Sequence, residues 1–173
     1  MAIAEQAATT ALAAMSLRYF NVAGATSALG ERHDPETHLI PVILNNLASG
    51  SSEPVEVFGT DWDTPDGTCI RDYIHVQDLA LAHLAALKKV ESGYVSQVYN
   101  VGSGKGYSVK EMMDQISKSL GRDINPEVSP ARAGDSPKLI ASIDKIKEQL
   151  GWSPKASLEE MINSAWQAEV ART

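Results

Sequence analysis

Arg71, Asp72, Tyr73 and His75 fall within five positions of the segment CIRDYIHV, among apolar Cys69, Ile70, Ile74 and Val76. The β-branched and aromatic content is that of a strand. A strand carrying an arginine, an aspartate and a histidine so close together must pair them or turn them into a polar cleft, because isolated buried charges are very costly. Two readings stay open on this chemistry alone: a solvated edge strand, or a cleft strand whose Arg71 offers a planar fork of donors to a phosphate or carboxylate. Arg132 and Asp135 lie in PARAGDSP, a loop by composition, where an arginine is ordinarily solvated. His33, His38, His75 and His83 show no spacing such as HExxH, so a metal site is not expected.

These residues need elements to position them. Residues 1 to about 14 read as an alanine-rich helix with no cap signal at its start. AAMSLRYFNVAGA reads as a buried strand and a glycine turn, which brings Tyr19 and Asn21 to the strand's C-terminal end, where open α/β sheets bind ligands. Ala28 to Glu36 is a polar loop. Leu39 to Ala48 reads as a helix, with Pro41 in its first turn and Gly50 past its end. Val55 to Phe58 is a short strand, and Asp61 to Gly67 a turn built on TPDG. After RDYIHV, Asp78 opens a helix to about Val90, where a carboxylate suits the positive end of the dipole. The strand QVYNVG leads to GSGKGYSVKE, in which Ser108 and Glu111 form a capping box for a helix ending near Leu120. Two more helices follow, Ser142 to Leu150 and Ser157 to Val170, the second opened by Ser157 and Glu160.

With 173 residues, 43% of them hydrophobic, the chain can bury one sizeable core. A net charge of −7 argues against nucleic acid or an anionic membrane as partner, since both need a basic face. The single cysteine, Cys69, excludes an intrachain disulfide. The N-terminus lacks a secretory pattern and the apolar runs are far shorter than a membrane span, so a cytoplasmic protein is expected.

The segment DGTCIRDYIHV resembles the UDP-glucose (UDP-galactose) 4-epimerases of the extended short-chain dehydrogenase/reductase family. SLRYFNVAGA (16–25), THLIP (37–41), VEVFG (55–59), YNVGSG (99–104) and PARAGD (130–135) match that family in the same order. The resemblance implies an α/β fold: the C-terminal substrate-binding portion of a Rossmann-type extended short-chain dehydrogenase/reductase, with residues 1–25 as the last helix and strand of the Rossmann-type domain and 26–173 as a mixed α/β nucleotide-sugar region.

Such enzymes use a tyrosine with a lysine four residues later, whose charge helps the phenolate remove a hydroxyl proton while hydride moves to NAD. Here the residue four positions after each tyrosine is Ala23, Gln77, Val98, Ser103 or Glu111. The GxGxxG dinucleotide fingerprint is missing too, because after Gly102 and Gly104 its third glycine would fall on Tyr107. No catalytic residue is therefore assigned, and the chain is expected to be an epimerase's C-terminal half, cut after the catalytic pair.

By resemblance, Tyr19 lies near the nicotinamide of NAD and Asn21 near the substrate diphosphate. His38 and Leu39 touch the nucleotide-sugar, and Glu56, Val57 and Phe58 carry the uracil on their backbone. Arg71 and Arg132 clamp the diphosphate, Tyr73 shares their cleft, and Asp135 accepts from ribose hydroxyls. Leu139 either borders the sugar or merely begins the packed segment LIASI. If it borders the sugar, N-acetylated analogues join UDP-glucose and UDP-galactose as substrates. A homodimer is expected of the intact enzyme. The alternatives are a non-catalytic nucleotide-sugar-binding module or a related nucleotide-sugar epimerase or dehydratase.

Overall fold

The structure, a computed structural model, describes residues 2–10, 12–27, 29–93 and 96–172. Met1, Ala11 and Ala28 of the expected segments lie outside them. The first elements are α1 (Ala2–Thr9), β1 (Met15–Tyr19), β2 (Asn21–Ala23), α2 (Leu39–Ser49), β3 (Val55–Phe58), β4 (Ile70–His75) and α3 (Val76–Glu91). β5 (Gln97–Val101), β6 (Gly106–Ser108), α4 (Val109–Leu120), β7 (Pro126–Ser129), β8 (Lys138–Leu139), α5 (Asp144–Leu150) and α6 (Leu158–Val170) complete the chain.

β4 is the organising strand. It runs parallel to β2 and β8 and antiparallel to β6, with Asn21 opposite Tyr73 and Leu139 opposite Arg71. Side chains alternate across a strand, so its two faces enter different cores. Tyr73 packs with Ile43, Leu44, Met112, Ile116 and Met161 beneath α2, α4 and α6. Ile74 packs with Tyr99, Val101, Ile146 and Trp152 beside α3 and α5. Among the described residues β1 pairs only with β5 and β3 only with β7, both parallel.

Two expectations need correction. The first helix stops at Thr9, because Thr9 and Thr10 hydroxyls donate back to the carbonyls of Glu5 and Gln6 and Thr10 Oγ1 accepts from Leu12 N. Such local bonds compete with helix propagation. SLRYF is not a buried strand: β1 has one neighbour and Tyr19 is 52% exposed.

The polar residues of β4 that do not line a cleft are satisfied internally. Asp72, 1% exposed, accepts from Ser103 N and Oγ, Gly104 N and Ala141 N. The GSG turn is thus a cradle already filled by the protein's own carboxylate, and a Cβ on Gly102 would stand 2.6 Å from Asp72 Oδ2. His75 Nδ1 accepts from Gln77 N at the head of α3, which puts the ring proton on Nε2, facing Ser164 Oγ at 3.1 Å. Gly24 makes this possible, since at φ 79° its missing Cβ would meet the His75 ring at 2.6 Å. Asp78 does more than meet the helix dipole: its carboxylate accepts from Lys155 N and Ala156 N. No helix among the described residues is long and apolar enough to cross a membrane.

Candidate functional site

A cavity of about 750 Å³ opens beside the first half of β4. Its walls come from the ends of β1 and β2, the 31–38 loop with the start of α2, strand β3, and the 130–136 loop. Tyr19, Asn21, His38, Leu39, Glu56, Phe58, Arg71, Tyr73, Arg132 and Asp135 all line it. Val57 and Leu139 do not. Val57 is buried in the core on the opposite side of β3, which leaves only its backbone to serve a ligand. Leu139 is half exposed on β8, beside Arg71.

The β2–β4 register sets the first pair of groups. Asn21 sits across from Tyr73 and hydrogen-bonds its phenol, while burial pushes that phenol's pKa up, so it stays neutral. Two residues earlier on the same face, Arg71 donates to Ile70 O at 3.0 Å and to Ser136 O at 2.7 Å, and pairs with Asp135 Oδ1 at 3.4 Å. It therefore ties the 130s loop to the central strand. Arg132 lies on that loop with its guanidinium 3.5 Å from the centre of the Phe58 ring. Glu56 accepts from Ser129 across the β3–β7 pair. Tyr19 donates to His83 Nε2 at 2.6 Å, because His83 Nδ1 already serves Leu79 O.

Two guanidinium groups on one cavity form a receptor for a doubly charged oxyanion, since charge-assisted bonds to phosphate are the strong ones. The exposed carboxylate of Asp135 and the strand edge at β3 add acceptors for hydroxyl and base groups. No lysine lines the cavity among the described residues. The cavity thus joins two guanidinium groups with acceptors on one wall. Its lining also includes Glu31, His33, Glu36 and Cys69, which sequence reasoning did not assign to the site. Cys69 precedes β4 directly, and burial raises its thiol pKa, which marks a quiet wall residue. The alternating Glu and His of 31–38 were the available signal for the others.

A family model described as "NAD dependent epimerase/dehydratase family" matches residues 1–102. The chain belongs to that family. Members similar to it include the UDP-glucose 4-epimerase of Corynebacterium glutamicum, 50% identical over 166 residues, covering 95% of this chain and 50% of the relative. Among solved members, a UDP-glucose 4-epimerase from Stenotrophomonas maltophila with bound NAD and formylated UDP-arabinopyranose superposes with a TM-score of 0.93 at 36% identity, covering 99% of this chain and 52% of that one. The Bifidobacterium longum UDP-glucose 4-epimerase in complex with NAD+ and UDP gives 0.86 at 36% identity, covering 95% and 49%. The chain thus has the α/β fold of these family members and spans about half the length of the relatives it matches.

Proposed function

We propose that this chain is the UDP-sugar-binding part of a UDP-glucose 4-epimerase that interconverts UDP-glucose and UDP-galactose through a 4-keto sugar. The observation that carries the reading is the single cavity on which Arg71, Arg132, Asp135 and Phe58 converge. Arg71 and Arg132 hold the diphosphate, the β3 edge holds the base, and Asp135 takes the ribose hydroxyls. Binding energy concentrated on the UDP end leaves the hexose free to turn over between its two faces.

Tyr19 fits the edge of an NAD site, exposed at the end of a parallel strand and fixed by His83. The remaining contacts, and the tyrosine and lysine that move the proton, belong to a partner half with residues 1–25 as its last helix and strand. NAD, bound mainly there, would accept and return the hydride at carbon 4. The intact enzyme is read as a cytoplasmic homodimer.

The test is a fusion of this chain behind the preceding half of the Corynebacterium glutamicum enzyme. The fusion is expected to convert UDP-galactose, whereas the 173 residues alone give no UDP-glucose above background. In the fusion, Arg71→Ala or Arg132→Ala should raise KM about 10- to 150-fold, as the loss of about 1.5 to 3 kcal/mol requires. A folded, NAD-loaded fusion whose KM ignores both substitutions overturns the assignment.

A further inference from the structure

Glu31, His33, Glu36 and His38, which line the cavity, bring one donor atom each to within 4.8 Å of one another. From this geometry we infer a binding site for one divalent transition-metal ion of the zinc class, held by two imidazole Nδ1 atoms and two carboxylates. The test below reads metal binding alone and so can fail separately from the nucleotide-sugar reading, with which the site shares His38.

The four side chains are crowded beyond what their own protons can serve. Four donors 2.0–2.2 Å from a shared centre at tetrahedral angles stand about 3.3–3.6 Å apart. Here His33 Nδ1 lies 3.0 Å from Glu31 Oε1 and 3.8 Å from Glu36 Oε2. His38 Nδ1 lies 3.0 Å from Glu31 Oε1 and 2.9 Å from Glu36 Oε1. Each Nδ1 can carry one proton, so two protons at most would have to serve four nitrogen–oxygen approaches. One cation at the centre answers all four once the three short approaches open by about 0.3–0.7 Å to that tetrahedral spacing.

One of the donors is also fixed before any ion arrives. Thr37 N and His38 N both donate to Glu36 Oε1 at 2.8 Å, which fixes that carboxylate from the backbone. Hydrogen-bonded ligands of this kind are what metal sites use to set geometry. Two neutral imidazoles and two carboxylates give a divalent ion overall neutrality. The mixed nitrogen and oxygen set selects zinc, cobalt or nickel over magnesium and calcium, which take oxygen donors. Bound there, the ion clips the 31–38 loop to the head of α2.

The experiment uses the chain itself, stripped with a chelator and dialysed, then titrated with zinc chloride in a calorimeter. One equivalent should bind with Kd of about 1 μM or tighter. Cobalt should give the intense visible bands of a tetrahedral site, zinc should bleach them, and magnesium should give no heat. His33→Ala and Glu31→Gln should each weaken zinc binding at least about 10- to 100-fold, while His83→Ala, outside the cluster, should leave it unchanged. Circular dichroism of each variant checks that it folds, and the conservative Glu31→Gln keeps the test valid if His33→Ala does not. Absence of stoichiometric zinc binding, or binding indifferent to both cluster variants, overturns the site.

Discussion

Arg71 divides its donors between its own chain and the cavity. Two bonds go to Ile70 and Ser136 carbonyls and an ion pair to Asp135, so the side chain is rigid before any ligand arrives. Arg132, stacked on Phe58, is held more lightly, since an exposed cation–π contact contributes about 0.5–1 kcal/mol. The first is a fixed anchor and the second an adjustable one. Leu139 tests how far this grip extends. It pairs with Arg71 in the β4–β8 register, which puts both side chains on one face, and it is 51% exposed. A tyrosine there reaches past the strand toward the cavity wall at Arg71. In the restored enzyme Leu139→Tyr is expected to suppress conversion of UDP-N-acetylgalactosamine relative to UDP-galactose by about 1 to 3 kcal/mol, the range for a steric change in such a pocket. Relative rates on the two sugars that stay constant across the substitution place Leu139 outside the specificity site.

The strand β4 and the helix it launches show how an element depends on one titratable group. Burial is the main cause that lowers the His75 pKa from its ordinary 6.5, outweighing the attraction of Asp78 and Glu160. The unfolded chain therefore takes up this proton at higher pH than the folded one. Its stabilisation is complete above about pH 6.5 and declines as pH falls toward the lowered folded value. Glu36 and Asp66 are held below their ordinary values even though burial pushes them up, because hydrogen bonds from His38, Thr37, Ser108 and Thr68 prevail. Their contribution is lost only below about pH 4.5. Urea midpoints should accordingly fall between pH 7.5 and pH 5.5, and His75→Asn, which keeps an N-cap acceptor, should flatten that slope. A slope unchanged by the substitution would assign the effect elsewhere.

At this scale the sequence is readable wherever an element states its own ends. Ser108 with Glu111 and Ser157 with Glu160 form the expected capping boxes, and VEVF and the β4 segment fall where pattern puts them. β6, β7 and β8 were not legible, being two to four residues long and defined by the strands they meet rather than by any pattern of their own. α5 begins at Asp144 instead of Ser142, with no side-chain cap to announce it. The cavity lining was legible for ten residues through family resemblance, but Glu31, His33 and Glu36 converge through an irregular loop that no periodicity describes.

For the molecule as a whole, the outer face of α3 is the least settled surface. Leu79, Ala82 and Ala86 bury its inner face, yet Leu81, Leu84 and Leu87, spaced by three, are 47%, 53% and 54% exposed on the other side. A helix apolar on both sides belongs inside a structure. Leu12 and Val98 add apolar surface, at 47% and 39% exposure. Apolar side chains exposed along a helix face in this way drive association in water. The chain by itself is therefore expected to self-associate, with a sedimentation coefficient that rises with protein concentration. Leu84→Gln combined with Leu87→Gln should reduce that rise without loss of helical signal, because both side chains point away from the two cores. A wild-type chain that remains a monodisperse monomer on concentration, and melts cooperatively at or above about 60 °C, would show that the α3 face is stable in water as it stands.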